Sequence, residues 1–385
     1  VTVFEKYPVA GGMMAWAIPA YRLPRGPLLA EIENVRRAGV DIRCNTTLGC
    51  DFSLDDLLGR QGYSAVLLAI GAHRSRRLGV AGDDKQGVID GVEFLSRVAG
   101  EATLRAAGLP ADTPLPDVRG KRVAVVGGGD VAIDVARSSL RMGAREVHVI
   151  YRRAGDDMPA AHLPEEIEAA RHEGIRFHTL VNPVEVLGNG SVTGVRLQQQ
   201  RLADFDDTAR RRPVPLGGDS YELNVEMLIP AIGQVPDVTW LHGTDVARRR
   251  GDTFIVDDAF STTRPGVFAA GDAVTGPATI VEAVAHGNLV AAAIDHWLKT
   301  GQLVKPYLEP DRTDIPQVVD LAAYADRHRP PTPRRPVDER EANFREVEIG
   351  FDEQAAQDEA RRCLRCDLEW LDVMKLPRPQ EAEKK

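Results

Sequence analysis

The segment "KRVAVVGGGDVAIDVARSSLRMGAREVHVIYRR" constrains the fold more than any other part of the chain. Its apolar pattern predicts a buried strand at residues 121–126, a helix at 130–142 and a second buried strand at 146–151. Three glycines, residues 127–129, form the turn between the first strand and the helix. A helix that links two buried strands is typical of a parallel α/β unit, so the sequence predicts an α/β fold here.

The glycine turn has the spacing of a dinucleotide-binding loop. Gly127 permits a tight turn, Gly129 lets backbone approach a pyrophosphate, and the small Ala132 lets helix and strand pack closely. The helix N-terminus offers free N–H groups and a positive dipole end to phosphates. Asp130 is interpreted as a structural helix cap. The candidate ligands in this turn are Gly127, Gly128, Gly129, Asp130, Val131 and Ala132. The alternative is a glycine turn that binds nothing.

The second strand ends in "IYRR", without the acid that an NAD site uses to bind the ribose diol. Tyr151, Arg152 and Arg153 occupy that place, where guanidinium groups suit a 2′-phosphate and the ring offers a stacking face. NADP(H) is therefore favoured over NAD(H), the alternative being that the arginines are merely solvated. Gly233, which ends a later apolar run, completes the candidate nicotinamide nucleotide site. Two other basic runs, residues 210–212 and 248–250, are interpreted as solvated loops.

Three further apolar runs, residues 65–72, 226–237 and 266–273, contain a glycine at or near their ends, as expected of strands in a sheet covered by helices. They predict two Rossmann-like dinucleotide-binding domains, one inserted into the other. The inner half comprises residues 96–236, and the outer half comprises residues 1–95 and 237–308. Residues 309–385 are predicted to form a proline-rich, charged linker and a C-terminal tail with a helix at 352–364.

Several motifs, in order along the chain, resemble one family of flavoproteins. They are "GGMMAWAIPAYRLP", "AVLLAIGAH", the glycine turn, "VIYRRAGDDMPA" and "STTRPGVFAAGDAVTGPATIVEAVAHG". Together they are similar to the FAD- and NAD(P)H-binding flavoproteins typified by the small subunit of glutamate synthase, over about residues 1–300. The resemblance implies FAD in the outer half, facing a nicotinamide nucleotide in the inner half.

The outer half carries the candidate FAD ligands. The strand "VTVF" ends at Glu5, an acid placed to bind ribose hydroxyls, and "FAAGDA" delivers Gly271 and Asp272 to the ribityl chain. A helix predicted to begin at residues 279–281 would direct its positive end at a reduced flavin. His286 in that helix is interpreted as a packing residue. The full candidate set is Glu5, Lys6, Gly11, Gly12, Gly71, Gly271, Asp272, Thr279, Ile280 and Val281.

Two points about this half stay open. Met13, Met14 and Trp16 form either an apolar wall beside the flavin or an ordinary core cluster. An acid such as Glu5 normally follows a strand, a glycine loop and a helix, so we expect a segment of about 30 residues with a G-x-G-x-x-G pattern upstream of Val1.

Cysteine usage separates this chain from the disulfide reductases of the wider superfamily. No cysteine lies in "GGMMAW" or between residues 123 and 230, so hydride transfer between nicotinamide and flavin is expected, without thiol chemistry. Cys363-x-x-Cys366 resembles a cluster-binding segment but supplies two of the four ligands that a [4Fe–4S] cluster needs. Cys363 and Cys366 are therefore either cluster ligands completed by other residues or part of an interface tail. Cys44 is expected in the core.

These observations predict a flavin-dependent NAD(P)H oxidoreductase subunit. It would exchange electrons with an iron–sulfur or catalytic large subunit of a redox complex that oxidises aldehyde, formate or hydrogen. The alternatives are a glutamate synthase small subunit and a non-catalytic interaction subunit that has lost FAD. The net charge of −9 argues against nucleic-acid binding. No apolar run approaches the roughly 18 residues of a membrane span, and a cytoplasmic protein is expected.

Overall fold

The computed structural model describes residues 1–162, 164–205, 210–241, 244–307 and 328–361. The chain divides into two compact units, Val1–Tyr307 with Pro336–Glu346, and Leu308–Arg335 with Val347–Lys385. Both halves predicted from the sequence, up to residue 307, lie in the first unit.

The outer half is built from short strands and helices. Its first part contains β1 (Thr2–Phe4), α1 (Gly12–Trp16), α2 (Arg25–Arg37), β2 (Asp41–Arg43), a π-helical turn (Asp56–Arg60), β3 (Val66–Leu68) and β4 (Arg74–Ser75). β1 and β2 pair in parallel, with Thr2 opposite Asp41.

The inner half forms a parallel sheet followed by an antiparallel one. Its elements are α3 (Gly91–Ala106), β5 (Arg122–Val126), α4 (Asp130–Arg141), β6 (Glu146–Tyr151), α5 (Pro164–His172), β7 (Arg176–Thr179), β8 (Val181–Leu187), β9 (Gly194–Phe205), β10 (Arg211–Leu223) and β11 (Met227–Pro230). The parallel sheet has the order β11-β5-β6-β7, and the antiparallel sheet has the order β10-β9-β8.

The chain then returns to the outer half. It forms β12 (Gln234–Val235), β13 (Val267–Ala269), α6 (Asp272–Thr275) and α7 (Ile280–Thr300), and α8 (Val337–Arg340) completes the first unit. β13 pairs in parallel with β3, and β12 pairs antiparallel with β4. The chain passes from the outer to the inner half after β4 and back to the outer half at β12, so these two connections lie side by side.

The predicted βαβ unit is present almost residue for residue. β6 has the predicted bounds, and α4 ends one residue before the predicted end. The core of this half includes Val123, Val125, Val149 and Ile229, all fully buried. The sequence of residues 174–199 predicts a β-meander, and β7 corrects that expectation. Instead β7 pairs in parallel with β6, since α5 lies between the two strands in sequence and returns the chain in the same direction.

One domain boundary predicted from the sequence falls within a helix, and the predicted C-terminal helix begins one residue later than expected. The proposed division between residues 95 and 96 falls inside α3, which begins at Gly91 with its N-terminus capped by the Asp90 side chain. In the second unit, residues 333–335 lie beside residues 347–349, with the Arg335 N–H donating to the Val347 carbonyl over 2.9 Å. The C-terminal helix is α9 (Glu353–Arg361), which begins one residue later than predicted; its predicted end at 364 lies outside the described residues.

Candidate dinucleotide sites

The glycine turn of the inner half is fixed by close packing. Gly127 has φ +147°, and a Cβ there would collide with the carbonyl oxygen of Ala231. Its N–H donates to the Ile150 carbonyl over 2.9 Å, which ties the turn to the end of β6. A Cβ on Gly128 would stand 2.6 Å from the Tyr151 ring. The turn therefore requires glycine at two successive positions, and the sequence pattern had not indicated the need at Gly128.

The start of α4 is open on the side where a phosphate would bind. Gly129 is the N-cap residue, and a Cβ there would meet nothing nearer than Pro159 at 4.0 Å. No side chain caps the helix, so the interpretation of Asp130 as the cap is wrong: Asp130 lies in the first turn. Ala132 is fully buried and Val131 packs against the core. The backbone N–H groups at this end are suited to an anion.

The Tyr151 side chain packs inside the protein and does not face solvent. Its ring is buried against Gly128 and the core, and its hydroxyl donates to the Asp157 carbonyl over 2.8 Å. Tyr151 is only 7% exposed, so its ring does not present the stacking face that the sequence predicts.

The arginines at the end of β6 differ in their surroundings. Arg152 is exposed, whereas Arg153 is buried and its Nε donates to the Arg211 carbonyl over 3.0 Å. Arg210, assigned from sequence to a solvated loop, is half-buried and its guanidinium lies 3.1 Å from the Tyr151 hydroxyl. No pattern in the sequence predicts this contact, since it joins residues 59 positions apart.

Gly233 lies where the chain crosses back to the outer half. It has φ +118°, and its carbonyl accepts a hydrogen bond from the Arg76 N–H over 3.0 Å. Gly71, at the other crossing, has φ +65° and lies against the His73 ring. Both glycines follow parallel strands, β11 and β3 respectively, so they lie at the carboxyl edges of their sheets.

Glu5 follows β1, as predicted. Its carboxylate accepts a hydrogen bond from the Tyr7 N–H over 2.8 Å. Burial raises the pKa of Glu5, although that hydrogen bond and the charge of Lys6 oppose the rise. Lys6 itself lies 5.0 Å from the centre of the Tyr7 ring.

Gly271 and Asp272 lie at the carboxyl end of β13. Gly271 has φ +65°, and its N–H donates to His286 Nδ1 over 3.2 Å. Asp272 begins α6 and accepts from the Ala278 N–H over 3.2 Å, while burial raises the pKa of its carboxyl. His286 also packs edge-on against Phe260, so it holds the Gly271 turn in place.

The start of α7 matches the prediction. Thr279 caps the helix and exchanges hydrogen bonds with Glu282 in a capping box. The next two residues are apolar yet exposed, with Ile280 at 47% and Val281 at 77% of their full accessibility. This helix end is therefore preformed, with an uncovered apolar surface beside it.

The "GGMMAW" segment is a short helix packed into the core. Gly11 precedes α1 with φ +133°, and Gly12 has φ +53° with open space beside it. Trp16 is buried, stacks on Tyr7 at 4.4 Å and donates to the Val9 carbonyl over 2.9 Å. Of the two interpretations left open, the geometry of Trp16 fits the core cluster.

The cysteines fall in two groups. Cys363 and Cys366 lie outside the described residues. Cys44 is half-buried and Cys50 is exposed, so the expectation that Cys44 belongs to the core is wrong. Within the described ranges, no group of three or more His, Cys, Asp or Glu side chains could hold a metal ion.

Comparison with known protein families gives a match over residues 29–287 to the family described as pyridine nucleotide-disulphide oxidoreductases. The chain belongs to this family. The likeness to the glutamate synthase small-chain type, stated from the motifs, is confirmed by 36% identity to the small chain of glutamate synthase [NADPH] from Escherichia coli, over 77% of this chain and 63% of that protein.

A longer match exists to the β subunit of the NADP(+)-dependent formate dehydrogenase of Moorella thermoacetica. The two chains are 43% identical over 95% of this chain and 51% of the relative. The chain thus spans about half the length of that protein.

Among solved structures, FprA of Mycobacterium tuberculosis in complex with NADPH superposes with a TM-score of 0.62 at 19% identity, over 79% of this chain and 80% of that one. This likeness confirms the α/β fold with two Rossmann-like domains. In the described part of the chain, no helix has the length and apolar character needed to cross a membrane.

Proposed function

We propose that the protein is the flavin- and nicotinamide-binding subunit of a multi-subunit oxidoreductase. The observation that carries the proposal is the inner glycine turn, whose Gly127 and Gly128 are packed against Ala231 and Tyr151 while Gly129 and the start of α4 remain open. This arrangement places the positive end of a helix, with its first backbone N–H groups, where a pyrophosphate can approach.

The nucleotide in the inner half is proposed to be NADP(H). The edge of β6 presents Arg152 and carries no carboxylate at the ribose position. The Moorella and Escherichia relatives are both named for NADP(+) or NADPH, which supports the same choice. The family identity supports FAD in the outer half, where the glycine of the Gly271 turn gives backbone close access and Asp272 provides a carboxylate.

Bound FAD would supply the ability to accept a hydride from nicotinamide and to release the electrons singly. The chain's own residues do the positioning. Glu5 and Asp272 accept hydrogen bonds from ligand hydroxyls, Gly71 and Gly271 keep the backbone close, and the α7 N-terminus stabilises negative charge on the ring.

The outer half needs further covering to form this site. Among the described residues, β1 pairs only with β2 and β3 pairs only with β13. Val3 at the β1 edge and Ile280, Val281 and Val284 on α7 are exposed apolar residues. We propose that a strand, glycine loop and helix of the same polypeptide cover these surfaces and complete the FAD site.

The partner is proposed to be an iron–sulfur or catalytic large subunit, as in a complex that oxidises formate, aldehyde or hydrogen. Both relatives named above are subunits of larger enzymes. The formate dehydrogenase relative matches 95% of this chain and the glutamate synthase relative 77%, which favours the former type of complex. The proposal includes Cys363 and Cys366 as two ligands of an iron–sulfur cluster that other residues would complete.

The test is an anaerobic titration of the purified full-length protein with NADPH and with NADH. We expect a flavin absorbance that bleaches at lower concentration of NADPH than of NADH. A full-length protein that is colourless after reconstitution with FAD would instead support the non-catalytic interaction subunit.

A further inference from the structure

The hairpin of β9 and β10 brings an additional arginine to the end of β6. Arg210, immediately before β10, has its guanidinium 3.1 Å from the Tyr151 hydroxyl and also donates to the Asp157 carbonyl. Tyr151 is the last residue of β6, and Asp157 lies in the loop that follows. The positive charge of Arg210 is therefore held beside the edge that borders the glycine turn.

Two neighbouring contacts fix where this arginine can lie. Arg153 is buried and holds the carbonyl of Arg211, the residue next to Arg210, over 3.0 Å. The Tyr151 ring cannot turn away, because it packs against Gly128 on one side and its hydroxyl donates to Asp157. Arg210 thus has a defined anchor on each side, whereas an arginine in a solvated loop would have none.

The end of the second strand of a dinucleotide-binding unit is where the adenosine ribose is recognised. An acid there binds the 2′-hydroxyl of NAD, and an arginine accommodates the 2′-phosphate of NADP. We infer that Arg210 is a specificity-determining residue that binds the 2′-phosphate of NADP(H), together with Arg152. This inference rests on the proposed nicotinamide nucleotide site of the inner half.

The chemistry of the side chain fits this role. A guanidinium donates several hydrogen bonds in a planar fork that matches a phosphate, and such charge-assisted bonds are stronger than neutral ones. Arg152 directly follows β6 of the parallel sheet, whereas Arg210 directly precedes β10 of the antiparallel sheet. A phosphate held between them would also join the hairpin to the parallel sheet.

The experiment measures the affinity of the whole protein for 2′,5′-ADP and for 5′-AMP by calorimetry, since these two ligands differ only in the 2′-phosphate. Neither ligand requires bound flavin. We expect the unmodified protein to bind 2′,5′-ADP at least tenfold more tightly. Arg210→Gln should weaken 2′,5′-ADP binding about tenfold, the loss expected for a charge-assisted contact, and leave 5′-AMP binding unchanged.

Two further variants make the result specific. Arg201→Gln removes one positive charge from an exposed position on β9 of the same hairpin and should leave both affinities unchanged. Arg210→Lys should recover part of the loss, because it keeps the charge without the planar fork. Partial recovery separates a role in binding the phosphate from a general effect on folding.

The outcomes separate this inference from the proposed function. If the unmodified protein discriminates between the ligands and Arg210→Gln discriminates equally well, the role of Arg210 is overturned while the NADP(H) site stands. If the unmodified protein binds both ligands equally, the NADP(H) proposal fails and the inference fails with it.

Discussion

The inner and outer halves of the first unit both place glycine turns at the carboxyl ends of parallel strands, but they are closed to different degrees. The inner sheet has four parallel strands, and β5 and β6 have hydrogen-bonded neighbours on both sides. In the outer half, within the described residues, the parallel strands occur only as the pairs β1-β2 and β3-β13. The helix α7 is apolar, yet only Val290 and Ala293 of its residues are buried.

This difference indicates which half forms a complete nucleotide-binding unit from the residues described. An apolar helix is stable in water only where another element covers it. The inner half has such covering, and a network of buried ion pairs also lies behind its nucleotide-binding helix. The outer half has preformed turns and a helix end, but its apolar surface lacks the packing that would enclose a flavin.

The largest expected effect concerns the buried ion network. Glu173, fully buried after α5, pairs with Arg137 and Arg141 of α4 at 2.8 Å each, and with Arg340 of α8 at 3.2 Å. Glu173→Gln would leave three buried guanidinium groups without their shared charge. We expect a loss of about 3 to 5 kcal/mol in the free energy of unfolding, measured by urea denaturation at pH 7.

The control is Glu168→Gln, an exposed position on α5, which should change stability by less than about 0.5 kcal/mol.

Burial would raise the pKa of Glu173, but its hydrogen bonds to Arg141 and Arg137 outweigh this and hold the pKa at about 2, below the usual 4.5. The stabilisation is therefore complete above about pH 5 and is lost as the pH falls toward 2. Between pH 6 and 3.5 the difference in the free energy of unfolding between the unmodified protein and Glu173→Gln should narrow by about 1.4 kcal/mol. A difference independent of pH would contradict this account.

The pattern of residues made some of these features predictable. α4 and β6 follow from a helical and a strand period on either side of a glycine turn, and both were found within one residue. Gly127 was recognised by its place in the motif. Gly128 was named only as a candidate ligand, and Arg210 was assigned to a solvated loop. Their contacts with Tyr151 could not be predicted, because these contacts depend on how distant segments pack. The parallel pairing of β7 with β6 was not predicted for the same reason, because it depends on how the two strands pack together.

The second effect distinguishes folding from binding within the glycine turn. Gly127→Ala places a methyl group against the Ala231 carbonyl at a positive φ, so we expect a loss of more than about 2 kcal/mol in stability. Gly129→Ala adds a methyl at φ −94° with nothing nearer than 4.0 Å, so stability should change by less than about 1 kcal/mol.

Nucleotide affinity then separates the two substitutions. The methyl of Gly129→Ala would project toward the pyrophosphate, so NADP⁺ should bind at least tenfold more weakly to a protein that is otherwise as stable as the original. Calorimetric titration provides the measurement. Unchanged NADP⁺ affinity in Gly129→Ala would mean that the phosphates lie elsewhere, and the inner half would then have no advantage over the outer half as a nucleotide site.

The smallest effect tests whether the outer half is open. Val281 and Val290 lie on the same helix, one 77% exposed and the other fully buried. In the chain described here, Val281→Ser should change the free energy of unfolding by less than about 0.5 kcal/mol, whereas Val290→Ser should cost about 2 to 4 kcal/mol. In a longer polypeptide that supplies the covering strand and helix, Val281→Ser should become costly as well, because its side chain would then be buried. A large cost already in the shorter chain would mean that another surface, such as a second copy, covers α7, and the contrast between the two halves would no longer hold in solution.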